Sequence, residues 1–104
     1  MNFENLIVNL SNHVFHVIIN RPNARNAMDL KTWKELSNAI DIANETDDVK
    51  VVVITGAGDD AFAAGADAEC LQQKRLHDIF KVSGQTVCNK IHDCSKPVIA
   101  AING

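Results

Sequence analysis

The feature that most constrains the fold is the run Val-Lys-Val-Val-Val-Ile-Thr at residues 49–55. β-Branched residues favour extended backbone, and a strand that is apolar nearly throughout is expected where both faces of a sheet are covered. The run leads past Gly56 into a loop of small residues, Ala61–Asp67, and then into a predicted helix start. A buried strand followed by a helix predicts an α/β fold with a layered sheet.

Three more strands are predicted around this run. Residues 6–10 and 14–19 are apolar and β-branched and are separated by a short polar turn, which predicts a β-hairpin. Arg21–Ala24 should end the second strand, since proline cannot donate to a sheet ladder. Pro97 opens the last predicted strand, where its missing N–H is tolerated, and residues 98–102 continue it.

Two helices are predicted from apolar residues that recur at helical spacing. The first begins after Asp29, a good N-cap, and runs to about Asn44; the second lies between about Arg75 and Asp93. We expect Trp33 to contribute to packing rather than to a substrate platform. The two apolar faces consist of Leu30, Trp33, Leu36, Ile40 and Ala43, and of Leu76, Ile79, Phe80, Val87 and Ile91.

Composition and charge are those of an ordinary globular protein. The 104 residues suffice for one domain, predicted over residues 1–104. The net charge is −3 and the basic residues are scattered, which argues against a nucleic-acid surface. No apolar run approaches the length that spans a bilayer, and the N-terminus lacks a signal pattern, so we expect no membrane association and a cytoplasmic setting.

Two other sites are conceivable from local patterns. Cys88 and His92 lie four residues apart on a predicted helix, with Cys94 nearby, but a fourth metal ligand is missing and no metal is expected. The cysteines are odd in number and show no C-x-x-C pair, which indicates reduced thiols. Gly56 and Gly58 form a G-x-G after a strand, but no third glycine follows at the offset that a dinucleotide site requires.

Four segments, taken together and in order, resemble one family. Residues 18–28 contain Asn-Arg-Pro-Asn-Ala-Arg-Asn-Ala, and residues 51–56 form the apolar strand. Residues 61–67 read Ala-Phe-Ala-Ala-Gly-Ala-Asp, and residues 96–104 read Lys-Pro-Val-Ile-Ala-Ala-Ile-Asn-Gly. They are similar to the crotonase (enoyl-CoA hydratase/isomerase) family.

The resemblance implies a crotonase-like superhelix of ββα units, of which this chain is the N-terminal portion, a truncated half core. In the family, the Asn-Gly that resembles Asn103-Gly104 is followed by a glycine-rich segment with the second oxyanion amide, and then by catalytic carboxylates. Neither is in this sequence. We therefore expect the 104-residue chain to be inactive by itself.

The resemblance also assigns candidate site residues. The backbone N–H of Ala66 would be the first donor of an oxyanion hole, and Gly65 would let the thioester approach the main chain. Ala66, Asp67, Ala68 and Glu69 match the stretch that contacts coenzyme A. A second set matches the loop along the nucleotide and pantetheine, and its members are Arg25, Asn26, Ala27 and Met28. Coenzyme A would enter as part of the substrate, with no separate cofactor.

Some departures from the family pattern leave alternatives open. Many hydratases carry an apolar residue and then lysine after Gly-Ala-Asp, whereas this chain has Ala68-Glu69. Asp67 and Glu69 could divide acid and base roles, but helix capping suits Asp67 better. The chain is thus expected to be the acyl-CoA-binding portion of a fatty-acid-metabolising hydratase or isomerase. The alternatives are a truncated non-catalytic CoA-binding or assembly module and a non-functional fragment.

Association is also predicted from the sequence. The apolar residues 98–102 would form a strand without the elements that cover it in a full crotonase. Exposed apolar surface and open strand edges favour pairing with another chain. We therefore expect a homo-oligomer.

Overall fold

The order of secondary structure follows the sequence-based expectation of hairpin, helix, strand, helix and strand. The computed structural model describes residues 3–58, 62 and 84–102. The described elements are strand β1 (Leu6–Ser11), strand β2 (Val14–Ile19), a 3₁₀ turn (Pro22–Ala24), helix α1 (Leu30–Glu45), strand β3 (Val51–Gly56), helix α2 (Gly84–His92) and strand β4 (Val98–Ala101). The predicted α/β class is confirmed.

One sheet holds the described strands in the order β1-β2-β3-β4. β1 and β2 are antiparallel, whereas β2 pairs with β3, and β3 with β4, in parallel. Parallel neighbours need a crossover long enough to carry the chain back, and α1 lies in the first crossover and α2 in the second. Strand direction therefore alternates only in the hairpin.

The hairpin turn is tight and also supports the start of β3. Asn12 and His13 both have positive φ angles, 52° and 69°, as a two-residue turn between twisted strands requires. The carbonyl oxygen of His13 accepts the amide of Lys50 at 2.8 Å, and Nδ1 of His13 lies 3.0 Å from the carbonyl oxygen of Asp48. His13 is exposed, as expected for a turn residue.

Helix α1 covers one face of the sheet, which we call the inner face. Asp29 caps the helix as predicted, because its carboxylate accepts the amide of Thr32 at 2.8 Å. The predicted stripe is buried at Leu36, Ile40 and Ala43, whereas Trp33 is half-buried against the core. Each fully buried aliphatic side chain contributes roughly 1.5–3 kcal/mol. The core opposite the helix includes Leu6, Phe15, Val17, Ile19, Val52 and Ile54.

The buried face of α1 also includes two polar residues that apolar periodicity does not reveal. Glu35 is buried, and its carboxylate accepts the amides of Glu4 at 3.0 Å and Asn5 at 2.8 Å. Thr32 is buried as well, and its hydroxyl accepts from the side chain of Asn5 at 3.0 Å. These hydrogen bonds compensate the burial of polar groups and fasten the segment before β1 to the helix.

Strand β3 is apolar on both faces, but its two faces differ in burial. Val52 and Ile54 point to the inner face and are buried, whereas Val51, Val53 and Thr55 on the opposite face are half-buried. The expectation of complete burial thus holds for the inner face. The strand begins two residues later than the apolar run, since residues 49–50 still belong to the turn bonded to Thr46 and His13.

Helix α2 packs against α1 and completes the described core. Val87 is buried and Ile91 is partly buried against the core, as the predicted apolar face requires. The other three members of that face, Leu76, Ile79 and Phe80, lie outside the described residues. In the part of the chain that the structure describes, no helix is long and apolar enough to cross a bilayer.

Lys96 closes the carboxyl end of α1. Its Nζ donates to the carbonyl oxygens of Ala43 at 3.0 Å, Thr46 at 2.8 Å and Val49 at 2.9 Å. The last carbonyls of a helix have no partner within the helix, and a cation there also interacts favourably with the helix dipole. Lys96 thereby ties the segment before β4 to the turn between α1 and β3.

We predict that Lys96→Met lowers the free energy of unfolding by about 2 kcal/mol, because it leaves these carbonyl oxygens without their charged donor. Urea denaturation would measure the loss, with the same dependence of the unfolding free energy on urea concentration in both proteins. Lys34→Met, on the exposed side of α1, is the matched control. A loss at Lys96 no larger than that of the control would show that the ammonium group contributes nothing to stability.

Candidate functional site

The parallel strands bring their carboxyl ends to one edge of the sheet, which we call the carboxyl edge. Ile19 at the end of β2 pairs with Gly56 at the end of β3, and Thr55 pairs with Ala101 at the end of β4. The chain after each strand therefore starts from the same edge. Ligands of open α/β sheets bind outside the carboxyl ends of strands, so this edge is the first place to seek a site.

The segment that follows β2 at this edge, residues 21–28, is held in an unusual conformation. After the 3₁₀ turn, Arg25 and Asn26 have φ angles of 54° and 58°, in the left-handed region. The amide of Arg25 donates to Pro22 at 3.1 Å, and that of Asn26 donates to Arg21 at 2.8 Å. Left-handed conformations of residues other than glycine persist only where the surroundings hold them, and they cluster at functional sites.

Asn26 joins this loop to the chain that follows β3. Its side-chain oxygen accepts the amide of Arg21 at 2.8 Å, and its side-chain nitrogen donates to the carbonyl oxygen of Ala57 at 3.1 Å. Ala57 is held from the other side as well, since its amide donates to Ile19 at 2.8 Å. The side chain of Asn26 is buried, with 1% of the residue exposed.

The guanidinium of Arg21 supports the same loop from within. It donates to the carbonyl oxygen of Ala27 and lies 3.7 Å from the carboxylate of Asp29, the residue that caps α1. The loop is therefore bonded to the start of the helix as well as to β3. Arg25, in contrast, is exposed, so its positive charge lies at the protein surface.

The predicted site residues fall into two groups. The structure brings Arg25, Asn26, Ala27 and Met28 together at the carboxyl edge, where Asn26 and Met28 are buried, Ala27 is half-buried and Arg25 is exposed. The second group, Gly65, Ala66, Asp67, Ala68 and Glu69, lies outside the described residues. Phe62, three residues before Gly65, is described and packs against the core.

An apolar cleft lies between the inner face of the sheet and the two helices. Its volume is about 280 Å³. Trp33 and Leu36 line it from α1, and Cys88 and Ile91 line it from α2. The sheet contributes Ile19 at the carboxyl edge and also Val98 at the amino end of β4, and Phe62 of the small-residue loop lines the cleft as well. The cleft thus adjoins the same edge as the Arg25–Met28 loop, and Trp33 lines it in addition to packing.

A wider depression of about 560 Å³ lies beside α2, and it is placed differently. It is lined by Cys88, His92 and Cys94 of the conceivable metal site and by Pro97, which precedes β4. This depression therefore lies at the amino end of β4, away from the carboxyl edge of the sheet. The Sγ of Cys94 donates to the side chain of Asn44 at 3.2 Å. Within residues 3–58, 62 and 84–102, no three potential metal ligands are grouped.

Comparison with known proteins assigns this fold. The sequence profile described as enoyl-CoA hydratase/isomerase matches residues 9–104, which is nearly the whole chain. The chain belongs to the enoyl-CoA hydratase/isomerase family. The resemblance carried by the four sequence segments is thereby confirmed.

Relatives and solved structures agree with this assignment. A crotonyl-CoA hydratase of Syntrophomonas wolfei is 38% identical over 106 residues, which cover 100% of this chain. A human mitochondrial Δ(3,5)-Δ(2,4)-dienoyl-CoA isomerase is 36% identical over 116 residues and 98% of this chain. The crystal structure of an enoyl-CoA hydratase from Bacillus anthracis superposes with a TM-score of 0.88 at 33% identity over 97% of this chain.

The relatives named above are much longer than the matched region. The chain spans 41% of the Syntrophomonas hydratase, 35% of the human isomerase and 40% of the Bacillus structure. The fold is therefore that of a truncated crotonase core, as the sequence predicts. The relatives include both hydratases and isomerases, so the family is assigned without the choice of reaction.

We predict that Arg21→Lys lowers the free energy of unfolding by about 1 kcal/mol, since an ammonium group lacks the planar fork that reaches both Ala27 and Asp29. Thermal denaturation followed by circular dichroism would measure the change. Arg25→Lys, in the same loop but exposed, is the matched control and should change stability little. Equal effects of the two substitutions would contradict the supporting role of Arg21.

Proposed function

We propose that this chain is the acyl-CoA-binding portion of an enzyme that hydrates or isomerises enoyl-CoA thioesters in fatty-acid metabolism. One observation carries the proposal: the Arg25–Met28 loop is fastened at the carboxyl edge to Ala57, at the start of the segment that leads to Gly65 and Ala66. The names of the relatives, hydratases and isomerases of CoA thioesters, support this substrate class.

In this proposal the loop after β2 binds the nucleotide end of coenzyme A. Arg25 is exposed and cationic, and a guanidinium suits phosphate oxygens because it donates in a planar fork. The backbone of residues 26–28 is fixed by the hydrogen bonds of Asn26 and Arg21. A fixed loop loses little conformational entropy when a ligand binds, which favours affinity.

The thioester would be bound by the segment after β3. The N–H of Ala66 would donate to the thioester oxygen as negative charge develops on it, a contact whose loss typically costs about 3 kcal/mol of transition-state stabilisation. Asp67, Ala68 and Glu69 would contact coenzyme A. These roles come from the family resemblance, and coenzyme A would enter only as part of the substrate.

The apolar cleft suits the acyl part of such a substrate. Its volume of about 280 Å³ is several times the roughly 30 Å³ that one water molecule occupies in the liquid. Its described lining includes Met28, the last residue of the proposed CoA loop, and Phe62, which precedes the proposed oxyanion corner. With the thioester bound at this corner, a short acyl chain extending into the cleft would contact apolar side chains.

We predict that Arg25→Gln weakens acyl-CoA binding by about fivefold, or about 1 kcal/mol, because it removes an exposed cation near the phosphates. The salt dependence of binding should also decrease. Isothermal titration with butyryl-CoA would measure both effects. Lys34→Gln removes the same charge from the exposed side of α1 and should leave affinity unchanged. Equal losses in both variants would indicate an unspecific effect of net charge.

The same chain allows a test of catalysis. Loss of the enoyl-thioester absorbance of crotonyl-CoA would report hydration. We propose that these 104 residues bind the substrate and do not turn it over by themselves, since they span 41% of the hydratase they resemble. Turnover by the 104 residues alone would instead assign the acid–base role to a carboxylate in this chain, with Asp67 and Glu69 as the candidates.

A second candidate function is a non-catalytic assembly module, and strand β4 favours it. β4 is an edge strand of the described sheet, with Ile99 53% exposed and Ile102, just after it, 73% exposed. An apolar edge strand is a template for pairing with another chain. We propose that the chain forms homo-oligomers through this edge, which is compatible with CoA binding by the same protein.

We predict that Ile99→Lys shifts the protein toward monomer, because a charged side chain on an edge strand opposes pairing. Sedimentation velocity over a range of protein concentrations would measure the shift. Leu10→Lys makes the same change in β1, at the other edge of the sheet, and serves as control. A wild-type protein that stays monomeric at high concentration would refute the association.

A further inference from the structure

Asn26 lies in the proposed CoA loop, yet its side chain faces the protein. Only 1% of the residue is exposed. Its oxygen accepts from the amide of Arg21, and its nitrogen donates to the carbonyl oxygen of Ala57. A side chain that is buried and bonded to two backbone groups offers no surface to a ligand. Its function must therefore be sought in what it holds together.

We infer that Asn26 is a positioning residue that locks the loop after β2 to the loop after β3, so that the two halves of the CoA-thioester site form one unit. The inference rests on the proposed function. Without this contact, the loop after β2 would still be bonded to the start of α1 through Arg21, and the loop after β3 would still be bonded to Ile19 through the amide of Ala57. With it, the loop after β2 and the start of the loop after β3 keep one relative position before substrate arrives.

The conformation of the loop explains why asparagine suits this position. Asn26 has a φ angle of 58°, in the left-handed region. After glycine, asparagine is one of the residues that adopt this region most readily. Glycine would accept the backbone but could not bridge to Ala57. Asparagine also carries an acceptor and a donor on one planar group, which match the amide of Arg21 and the carbonyl of Ala57.

Ala57 links Asn26 to the chain that leaves β3. Its amide is bonded to Ile19, at the end of β2, and its carbonyl oxygen is bonded to Asn26. Both bonds fix the peptide units around Ala57 just before Gly58, whose φ angle of 78° is in the left-handed region. The direction in which the chain leaves β3 through Ala57 and Gly58 is therefore set partly by Asn26.

The experiment targets the contact between the loops. Asn26→Asp keeps the side-chain oxygen that accepts from Arg21 but replaces the donor to Ala57 by a second acceptor. Asn23→Asp adds the same charge to an exposed residue of the same loop and is the matched control. Titration calorimetry would give the affinities of the full chain and its variants for free CoA and for butyryl-CoA. Amide hydrogen exchange would report on residues 20–28 and 56–58.

If Asn26 couples the loops, Asn26→Asp should reduce the preference for butyryl-CoA over CoA by about tenfold relative to Asn23→Asp, the effect of losing one buried hydrogen bond. Exchange at residues 56–58 should accelerate by a similar factor. A residue that merely stabilised the fold would lower the unfolding temperature without changing this preference. An unchanged preference together with unchanged exchange at residues 56–58 would overturn the inference.

A wild-type measurement decides the case where Asn26→Asp does not fold. Adenosine 3′,5′-bisphosphate, the nucleotide part of CoA, lacks the pantetheine and acyl groups, so it should contact mainly the loop after β2, yet coupling requires it to slow exchange at residues 56–58 as well. Protection confined to residues 20–28 would overturn the inference. Failure of the wild type to bind CoA or butyryl-CoA would refute the proposed function, whereas accelerated exchange in Asn26→Asp would still support the lock.

Discussion

The parallel pairing of β2 with β3 is the constraint on which the rest of the structure depends. Register places Ile19 beside Gly56, so the chain leaves both strands at one edge of the sheet. Parallel neighbours require a crossover, and α1 fills it because its apolar side has the length and spacing to cover the inner face. The loops that resemble the CoA-binding and oxyanion segments of the family therefore start side by side, although Arg25 and Gly65 are far apart in sequence.

Polar contacts, more than apolar packing, give this edge its definite shape. Apolar packing of α1 on the sheet fixes the position of the helix, but it leaves several possible paths for the loops at the ends of the helix. Asn26 joins the loop after β2 to Ala57, and Arg21 joins the same loop to Asp29 at the start of α1. At the opposite end of the helix, Lys96 bonds to carbonyl oxygens of the turn before β3. Directional hydrogen bonds select one path where hydrophobic burial is nonspecific.

Much of the fold was predictable because its signals are local. Asp29 as N-cap, the hairpin turn at Asn12 and His13, and the apolar stripe of α1 follow from backbone preference and periodicity alone. The burial of Glu35 was not predictable in this way, since a glutamate in the middle of a helix sequence is normally expected to face solvent. Its burial depends on the amides of Glu4 and Asn5, which come close only once β1 is paired.

The sequence by itself determined the α/β class, the order of elements and the family, because four motifs in order are specific without coordinates. It also indicated which residues belong to the candidate site. Only the tertiary structure decided what those residues do: Arg25 faces solvent, whereas Asn26 faces the protein and bonds to Ala57, 31 residues away. Periodicity and turn preferences arise from neighbouring residues, whereas a contact over that separation depends on strand register, which no short segment encodes.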